Sequence, residues 1–281
     1  MRDAVRRRWA RWVGGTALVA ALGWTFFPVY WMLVTSLKTD LEMFRSVPRL
    51  WPAPPTVENY AGLATGASPV GRLFVNSAIT SAATAVVTVA LAALAGYSFS
   101  RGRYRLRPAL LYGTLATQMF PLVVLLIPLY LVYLRAHLLD SYAGLVLSYC
   151  SFSVPFGAWL MKEFIDTVPR ELEAAAWVDG CTKLQALARV VLPVSLPGIV
   201  TTAVFAFLNA WNNLLFPLTL TSSLDMKTLP PGLLLAFTGQ FKADWAGMMA
   251  AATVTTVPVV VGFFLVQRYL IEGLTKGAIR G

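Results

Sequence analysis

The sequence is poor in charge. Only 13% of its 281 residues are Asp, Glu, Lys or Arg, whereas 57% are hydrophobic. A soluble domain carries about 25% charged residues, so most of this chain has no aqueous surface to cover. The composition therefore argues against a water-soluble globular domain and predicts an integral membrane protein.

Residue types that carry catalytic or metal chemistry are also scarce. The chain has one His and two Cys, at spacings that match no metal site. Cys150 lies in an apolar run and Cys181 in a polar loop, so we interpret both as packing residues, and His137 as a surface residue. The chain also lacks the G-x-x-x-x-G-K-[ST] phosphate loop, which excludes ATP hydrolysis by that chemistry.

The net charge of +10 has two readings, nucleic-acid binding or membrane topology. The basic residues stand between apolar runs instead of gathering on one face, as topology requires. We therefore predict a lipid bilayer as the surroundings and no nucleic-acid partner.

Six apolar stretches reach the roughly 20 residues that a helix needs to cross a bilayer. The first is interpreted as a retained anchor and not a signal peptide, because it is long, contains Pro28 and ends without a small-residue cleavage site. The sequence thus predicts an all-α, polytopic membrane protein with about six transmembrane helices. The stretches are Gly14–Ser36, Leu73–Ser98, Ala109–Leu134, Tyr142–Met161, Leu196–Leu220 and Trp245–Ile271.

Orientation follows from the basic residues. With the N-terminus inside, the inside segments carry 16 of the 23 Lys and Arg, and the short loop Arg101–Arg107 is the strongest single indication. This bias predicts that both termini are cytoplasmic. The predicted regions are a cytoplasmic N-terminus (1–13), a first helix (14–36), an extracytoplasmic segment (37–72), a core of five helices (73–271) with a cytoplasmic loop (162–197), and a cytoplasmic tail (272–281).

The cytoplasmic loop begins with a short amphipathic helix, P-R-E-L-E-A-A-A-W-V. Pro169 suits its first position, and acidic residues suit its first turn. Leu172, Ala175 and Ala176 align into a narrow apolar face. Gly180 is expected to end the helix in the left-handed conformation.

A second short helix follows. Thr182 and Gln185 have capping-box spacing, and the helix is expected to stop before Pro193. Ten residues reach only about 15 Å, too short to span a bilayer, so the loop rests either on the membrane surface or on a protein. Its nearly balanced charge favours a protein partner over lipid headgroups. The predicted apolar face is Leu184, Leu187, Ala188 and Val191.

The run E-L-E-A-A-A-W-V-D-G-C-T, followed by V-V-L-P-V-S-L-P-G, resembles the signature loop of permease subunits of binding-protein-dependent ABC importers, in the maltose-type carbohydrate branch. The sequence departs from the family at Ala174, where Glu is frequent; the acid is one place earlier, at Glu173. Further similarity extends from Asn76-Ser77 to the tail Gly273–Gly281. Ala175, Ala176, Asp179, Gly180, Leu192 and Pro193 match the family pattern in identity and spacing.

This resemblance implies the type I ABC importer permease fold in a bacterial-type cytoplasmic (inner) membrane. It implies a second permease subunit in a heterodimer, two ATPase subunits that bind ATP and Mg²⁺, and an extracytoplasmic binding protein that delivers a carbohydrate or a related solute such as a glycerophosphodiester or glycerol phosphate. No cofactor is expected in this chain. The residues expected to couple to the ATPases are Glu171, Glu173, Ala175, Ala176, Asp179, Gly180, Leu192 and Pro193.

Solute contact is predicted for five groups at membrane depth, which suit sugar hydroxyls and ring faces. The same groups could instead join helices to one another. Two other classes are disfavoured, because the spans lack the acids or histidines of a lipid-acting enzyme and the charges and inverted repeats of a secondary transporter. The five groups are Gln118, Asn209, Trp211, Asn212 and Asn213.

Overall fold

The computed structural model describes residues 2–64, 68–239 and 243–278, with side chains at 13–64, 68–239 and 243–268. Within these ranges the regular structure is helical, and an isolated bridge joins Thr238 to Ala243. The predicted all-α class is confirmed. The predicted tail, from Leu274 to Gly281, lies outside the described side chains.

Fourteen α-helices are described, with short 3-10 turns at Thr117–Met119 and Leu224–Met226 and a π turn at Leu187–Val191. They are α1 Arg2–Ser36, α2 Asp40–Met43, α3 Glu58–Ala64, α4 Val70–Arg101, α5 Arg107–Ala116, α6 Leu122–Arg135, α7 Tyr142–Asp166, α8 Arg170–Val178, α9 Lys183–Ala186, α10 Leu192–Val194, α11 Leu196–Trp211, α12 Leu215–Leu220, α13 Leu229–Phe237 and α14 Trp245–Ala278.

Among the described residues, four helices are long and apolar enough to cross a membrane, and two bent pairs bring the number to six if each pair counts as one span. The first pair, Arg107–Met119 with Leu122–Arg135, bends by 97° at Pro121, which has no N–H to continue the helix. The second pair, Lys183–Val194 with Leu196–Trp211, bends by 83°.

The fifth predicted span is corrected by a separate break, between α11 and α12. A single helix over Leu196–Leu220 was expected, but α11 ends at Trp211 and α12 begins at Leu215. The side chain of Asn213 accepts a hydrogen bond from Phe216 N at 3.0 Å, so an Asn at the break caps the start of α12. The apolar run gave no indication of this break.

The chain forms two compact units, of which the first contains residues 1–68 and 233–258. Its connector after α1 holds two buried charged side chains. Lys38 Nζ donates to Arg49 O at 2.8 Å, and the Glu42 carboxylate accepts from Ala53 N at 3.1 and 3.2 Å. Backbone groups therefore satisfy both charges and fold the connector back on itself.

The second unit contains residues 69–232 and 259–281, and its core is built from α4, α7 and α11. Asn76, Thr80, Thr84, Thr88 and Ala92 recur every fourth residue of α4 and are fully buried. Thr80 and Thr84 donate their hydroxyls to carbonyls of their own helix, so this polar stripe is largely satisfied from within. Small side chains along it let the helices approach closely.

Candidate functional site

The first loop helix, α8, has well-defined ends. It begins at Arg170, with Pro169 at the N-cap. Pro169 was predicted at the first helical position, so the helix begins one residue later than predicted. At its other end Gly180 has φ +86°, as predicted. Cys181 N bonds Ala176 O at 2.9 Å and Gly180 N bonds Trp177 O at 3.1 Å, the pair of bonds of a Schellman motif.

The two faces of α8 differ from the prediction. Glu173 and Ala176 face the bundle and are buried, whereas Leu172 and Ala175 are exposed, so the expected face of Leu172, Ala175 and Ala176 is divided. Val178 is 88% exposed. Residues three apart share one side of a helix, so Leu172, Ala175 and Val178 form an exposed apolar stripe, which we call the α8 stripe.

Glu173 joins α8 to the last turn of α4. Its side chain is only 2% exposed. One carboxylate oxygen accepts a hydrogen bond from Arg101 Nε, and the other accepts from the Tyr97 hydroxyl at 2.9 Å. Arg101 also donates from Nη2 to Val168 O at 2.7 Å, so a planar guanidinium bonds both the start of α8 and the turn before it.

The same arginine extends this contact to α7. Arg101 Nη1 donates to Ser100 Oγ at 3.2 Å, and Ser100 donates in turn to Asp166 at 2.5 Å. Asp166 also accepts from Lys162 Nζ at 2.7 Å. The ends of α4 and α7 and the start of α8 therefore meet in one polar cluster, the Arg101 cluster, which comprises Tyr97, Ser100, Arg101, Asp166 and Glu173.

The second part of the loop begins as predicted and ends differently. The capping box is present, with Gln185 N bonded to Thr182 Oγ1 at 3.3 Å and Thr182 N bonded to Gln185 Oε1 at 2.8 Å. The helix does not stop before Pro193, however. A π turn over Leu187–Val191 leads into α10, which contains Pro193; the wider turn precedes the residue that has no N–H to donate.

The π turn also divides the predicted apolar face. Leu187 and Val191 are buried in the core with Met161, whereas Leu184 is 66% exposed and Ala188 is exposed. An extra residue in the turn rotates the residues before it relative to those after it. Four residues placed by α-helical spacing therefore cannot share one face here.

Three of the five predicted solute residues are engaged within the chain. Trp211 is buried, stacks on Phe207 at 5.5 Å and meets Phe74 edge-on at 5.4 Å. Gln118 Nε2 donates to Phe152 O at 2.6 Å, and Asn213 caps α12 as described above. These contacts fit the alternative in which such groups join helices.

The other two, Asn209 and Asn212, are exposed. Asn212 Nδ2 donates to Leu208 O of its own helix at 3.0 Å, and this bond does not use the side-chain oxygen Oδ1. Both residues lie in or directly after the last turn of α11, next to the break before α12.

A second polar cluster, at the opposite end of α4, was not predicted as a site. Asn76 Nδ2 donates to the carbonyls of Asp225 at 2.7 Å and Lys227 at 2.8 Å. Its Oδ1 accepts from the Tyr142 hydroxyl at 2.7 Å. Ser77 Oγ accepts from Leu229 N at 2.8 Å. The segment 224–229 is thereby fixed to α4 and α7, and the Asn76-Ser77 pair noted in the sequence was the one signal that pointed to it.

Two charged side chains fix the residues between α12 and this segment. Lys227 is buried, and its Nζ donates to Thr221 O at 2.5 Å and Pro217 O at 3.3 Å, carbonyls of the α12 C-terminus. Asp140 accepts from Ser222 N at 3.0 Å and Ser223 N at 3.2 Å. Burial raises the pKa of Asp140, but the hydrogen bonds from Ser223 and Ser222 and the nearby Lys227 outweigh it and lower that pKa below its usual value.

Known proteins similar to this chain are membrane transport components. The family of binding-protein-dependent transport system inner membrane components matches residues 88–276. The sulfoquinovosyl glycerol transport system permease protein SmoH of Agrobacterium fabrum is 35% identical over 91% of this chain and 89% of that protein. The trehalose transport system permease protein SugB of Mycobacterium tuberculosis is 34% identical over 98% of this chain and 99% of that protein.

Two further comparisons agree. The diacetylchitobiose uptake system permease protein DasC of Streptomyces coelicolor is 34% identical over 96% of this chain and 97% of that protein. A solved chain of a bacterial ABC transporter involved in the import of the acidic polysaccharide alginate has the same fold, with a TM-score of 0.79 at 18% identity over 92% of this chain and 95% of that chain. The family match covers the second half of α4, the signature loop and the helices after it, and this chain is therefore a member of the family of binding-protein-dependent transport system inner membrane components.

Proposed function

We propose that this chain is one permease subunit of an ATP-driven importer for a carbohydrate delivered by an extracytoplasmic binding protein. Three relatives are named for the transport of trehalose, diacetylchitobiose or sulfoquinovosyl glycerol, and each of these solutes carries a sugar. The observation that carries the proposal is α8, a short helix with rigid caps and an exposed apolar stripe. Exposure of this apolar stripe to water is unfavourable, and the stripe therefore suits contact with a protein partner.

The partner at the α8 stripe is an ATPase subunit. Leu172, Ala175 and Val178 supply its apolar contact. Of the two acids in the first turn, Glu171 is exposed and Glu173 is buried against α4, so Glu171 is the acid that meets the ATPase. This chain forms a heterodimer with a second permease subunit. One ATPase subunit docks on each permease, and the two ATPase subunits bind ATP and Mg²⁺.

In the proposed orientation α8 is cytoplasmic, as both termini are predicted to be. Arg101 belongs to the Arg101 cluster, Arg103, Arg105 and Arg107 follow it within six residues, and positive residues favour the cytoplasmic side. The Asn76 end of α4 then faces outward. The segments 37–72 and 221–244 are the candidates to receive the binding protein.

Solute contact is assigned to Asn209 and Asn212. Both are exposed, and among the described residues Asn212 bonds only its own helix. By contrast, Trp211 is buried, the exposed Gln118 is bonded to α7 through Phe152 O, and Asn213 bonds Phe216 N at the start of α12. Neutral amides suit sugar hydroxyls, because they donate and accept hydrogen bonds without the cost of a buried charge.

Reconstitution tests the function. The chain is assembled with its permease partner, ATPases and candidate binding proteins in proteoliposomes, and uptake is measured with a panel of sugars. We expect uptake that requires ATP, is blocked by vanadate and is accompanied by a solute-dependent rise in ATP hydrolysis. Uptake driven by an ion gradient without the ATPases would contradict the proposal.

A further inference from the structure

We infer that the buried pair of Arg101 and Glu173 is the joint through which movement of α8 is passed to α4. The inference rests on the proposed function, since it assumes that an ATPase moves α8. It assigns to both residues a positioning role in coupling, distinct from docking.

The geometry of α8 carries the first step. At 100° per residue, the α8 stripe lies on the side of the helix opposite Glu173. A partner on the stripe therefore does not touch Glu173, which is 2% exposed. A displacement that the partner imposes on Leu172, Ala175 or Val178 therefore reaches α4 across the helix, on the side where Glu173 meets Arg101.

The second step is the connection itself. Glu173 accepts from both Arg101 and Tyr97, and these residues are one helical turn apart on α4. The Arg101 side chain is 12% exposed, so the pair is screened little by water and salt. Because Arg101 also holds Val168 O, α8 and the turn before it are fixed to α4 as one piece.

The third step concerns where α4 leads. From Arg101 the helix runs back to Asn76, a rise of about 38 Å at 1.5 Å per residue. Asn76 holds the segment 224–229 through the carbonyls of Asp225 and Lys227. The helix α4 is therefore fixed to the signature loop at its Arg101 end and to the segment 224–229 at its Asn76 end. A tilt of α4 driven at Arg101 moves both.

The test separates coupling from docking. The complete importer carries Glu173→Gln or Arg101→Lys, and three quantities are measured per folded complex: ATPase affinity, ATP hydrolysis and solute uptake. We expect Glu173→Gln to leave ATPase affinity within twofold of wild type and to lower solute transported per ATP at least tenfold. Arg101→Lys keeps the charge without the fork and is expected to give a smaller loss. Glu163→Gln, the same change at a carboxylate that is 51% exposed, serves as the control and should change none of the three.

Each outcome of this experiment either supports or overturns the joint. An unchanged ratio of transport to hydrolysis in Glu173→Gln overturns the joint, and loss of ATPase binding in that variant makes Glu173 a docking residue and also overturns it. If Glu173→Gln does not fold, Glu173→Asp keeps the carboxylate with a shorter reach, and an unchanged ratio there contradicts the inference. Absence of ATPase binding by the wild-type chain would instead refute the proposed function.

Discussion

Gly96 of α4 lies against Met161 of α7 with no room for a side chain. A Cβ placed on Gly96 would be 2.7 Å from the Met161 Cβ and 2.8 Å from Lys162 N. The two helices thus meet backbone to backbone directly before Tyr97 of the Arg101 cluster, and glycine at this position sets the distance at which that cluster can form.

The first prediction is that Gly96→Ala destabilises the protein. The new methyl group meets backbone atoms that cannot move aside locally, and overpacking of this kind costs about 1–3 kcal/mol. The thermal midpoint of the detergent-purified protein should fall. Gly71→Ala on the same helix meets nothing within 4 Å and should be neutral or stabilising by up to about 1 kcal/mol. Equal midpoints for the two variants would contradict the close approach.

The second prediction concerns the end of α8. Gly180→Val forces a β-branched residue to a φ of +86°, which costs about 1–2 kcal/mol or displaces the backbone. Membrane insertion should be unchanged, and assembly with the ATPase should be lost. Gly180→Asn should retain most assembly, because Asn tolerates this conformation. If the Val variant binds the ATPase at wild-type affinity, α8 is not the docking element.

The third prediction concerns the other end of α4. Asn76→Ala removes two donors from the carbonyls of Asp225 and Lys227 and the acceptor for Tyr142. Leaving buried polar groups unpaired costs about 1–3 kcal/mol each, so the thermal midpoint should fall and the segment 224–229 should become open to proteolysis. Ser151→Ala removes a hydroxyl that is exposed and donates within its own helix; it should cause neither change. Full protease resistance of Asn76→Ala would refute this role.

The fourth prediction distinguishes solute contact from packing near the end of α11. Asn209→Ala should lower uptake severalfold with an unchanged thermal midpoint, since its side chain is exposed. Trp211→Ala should lower the midpoint strongly, because deletion of a buried Trp costs about 3–5 kcal/mol. Wild-type uptake by Asn209→Ala across all solutes tested would remove this residue from the pathway.

Local rules predicted much of the loop. Gly180 in the left-handed region and the Thr182–Gln185 capping box depend on neighbouring residues alone, and both are present. The start of α8 was misplaced by one position, because proline is typical of the first helical position, whereas Pro169 lies at the N-cap.

Features that depend on distant residues were not predicted. Arg101 was interpreted only as a charge that sets topology. Glu173 follows it by 72 residues, and nothing in the sequence indicates that the two side chains meet. Periodicity also cannot reveal the π turn, which interrupts the α-helical spacing between Leu184 and Val191. Among the candidate solute residues, sequence alone could not separate the buried Trp211 from the exposed Asn209, because both occupy the same apolar stretch.

The bend at Pro121 has a consequence for how the protein is made. The helix after the bend has 14 residues and reaches only about 21 Å. The helical part before the bend, Arg107–Met119, is not longer than that. Neither half matches the roughly 30 Å thickness of the hydrocarbon layer. We therefore expect that during synthesis the first half has no stable place in the bilayer until the second half has left the ribosome, and that the two halves are inserted as a single unit.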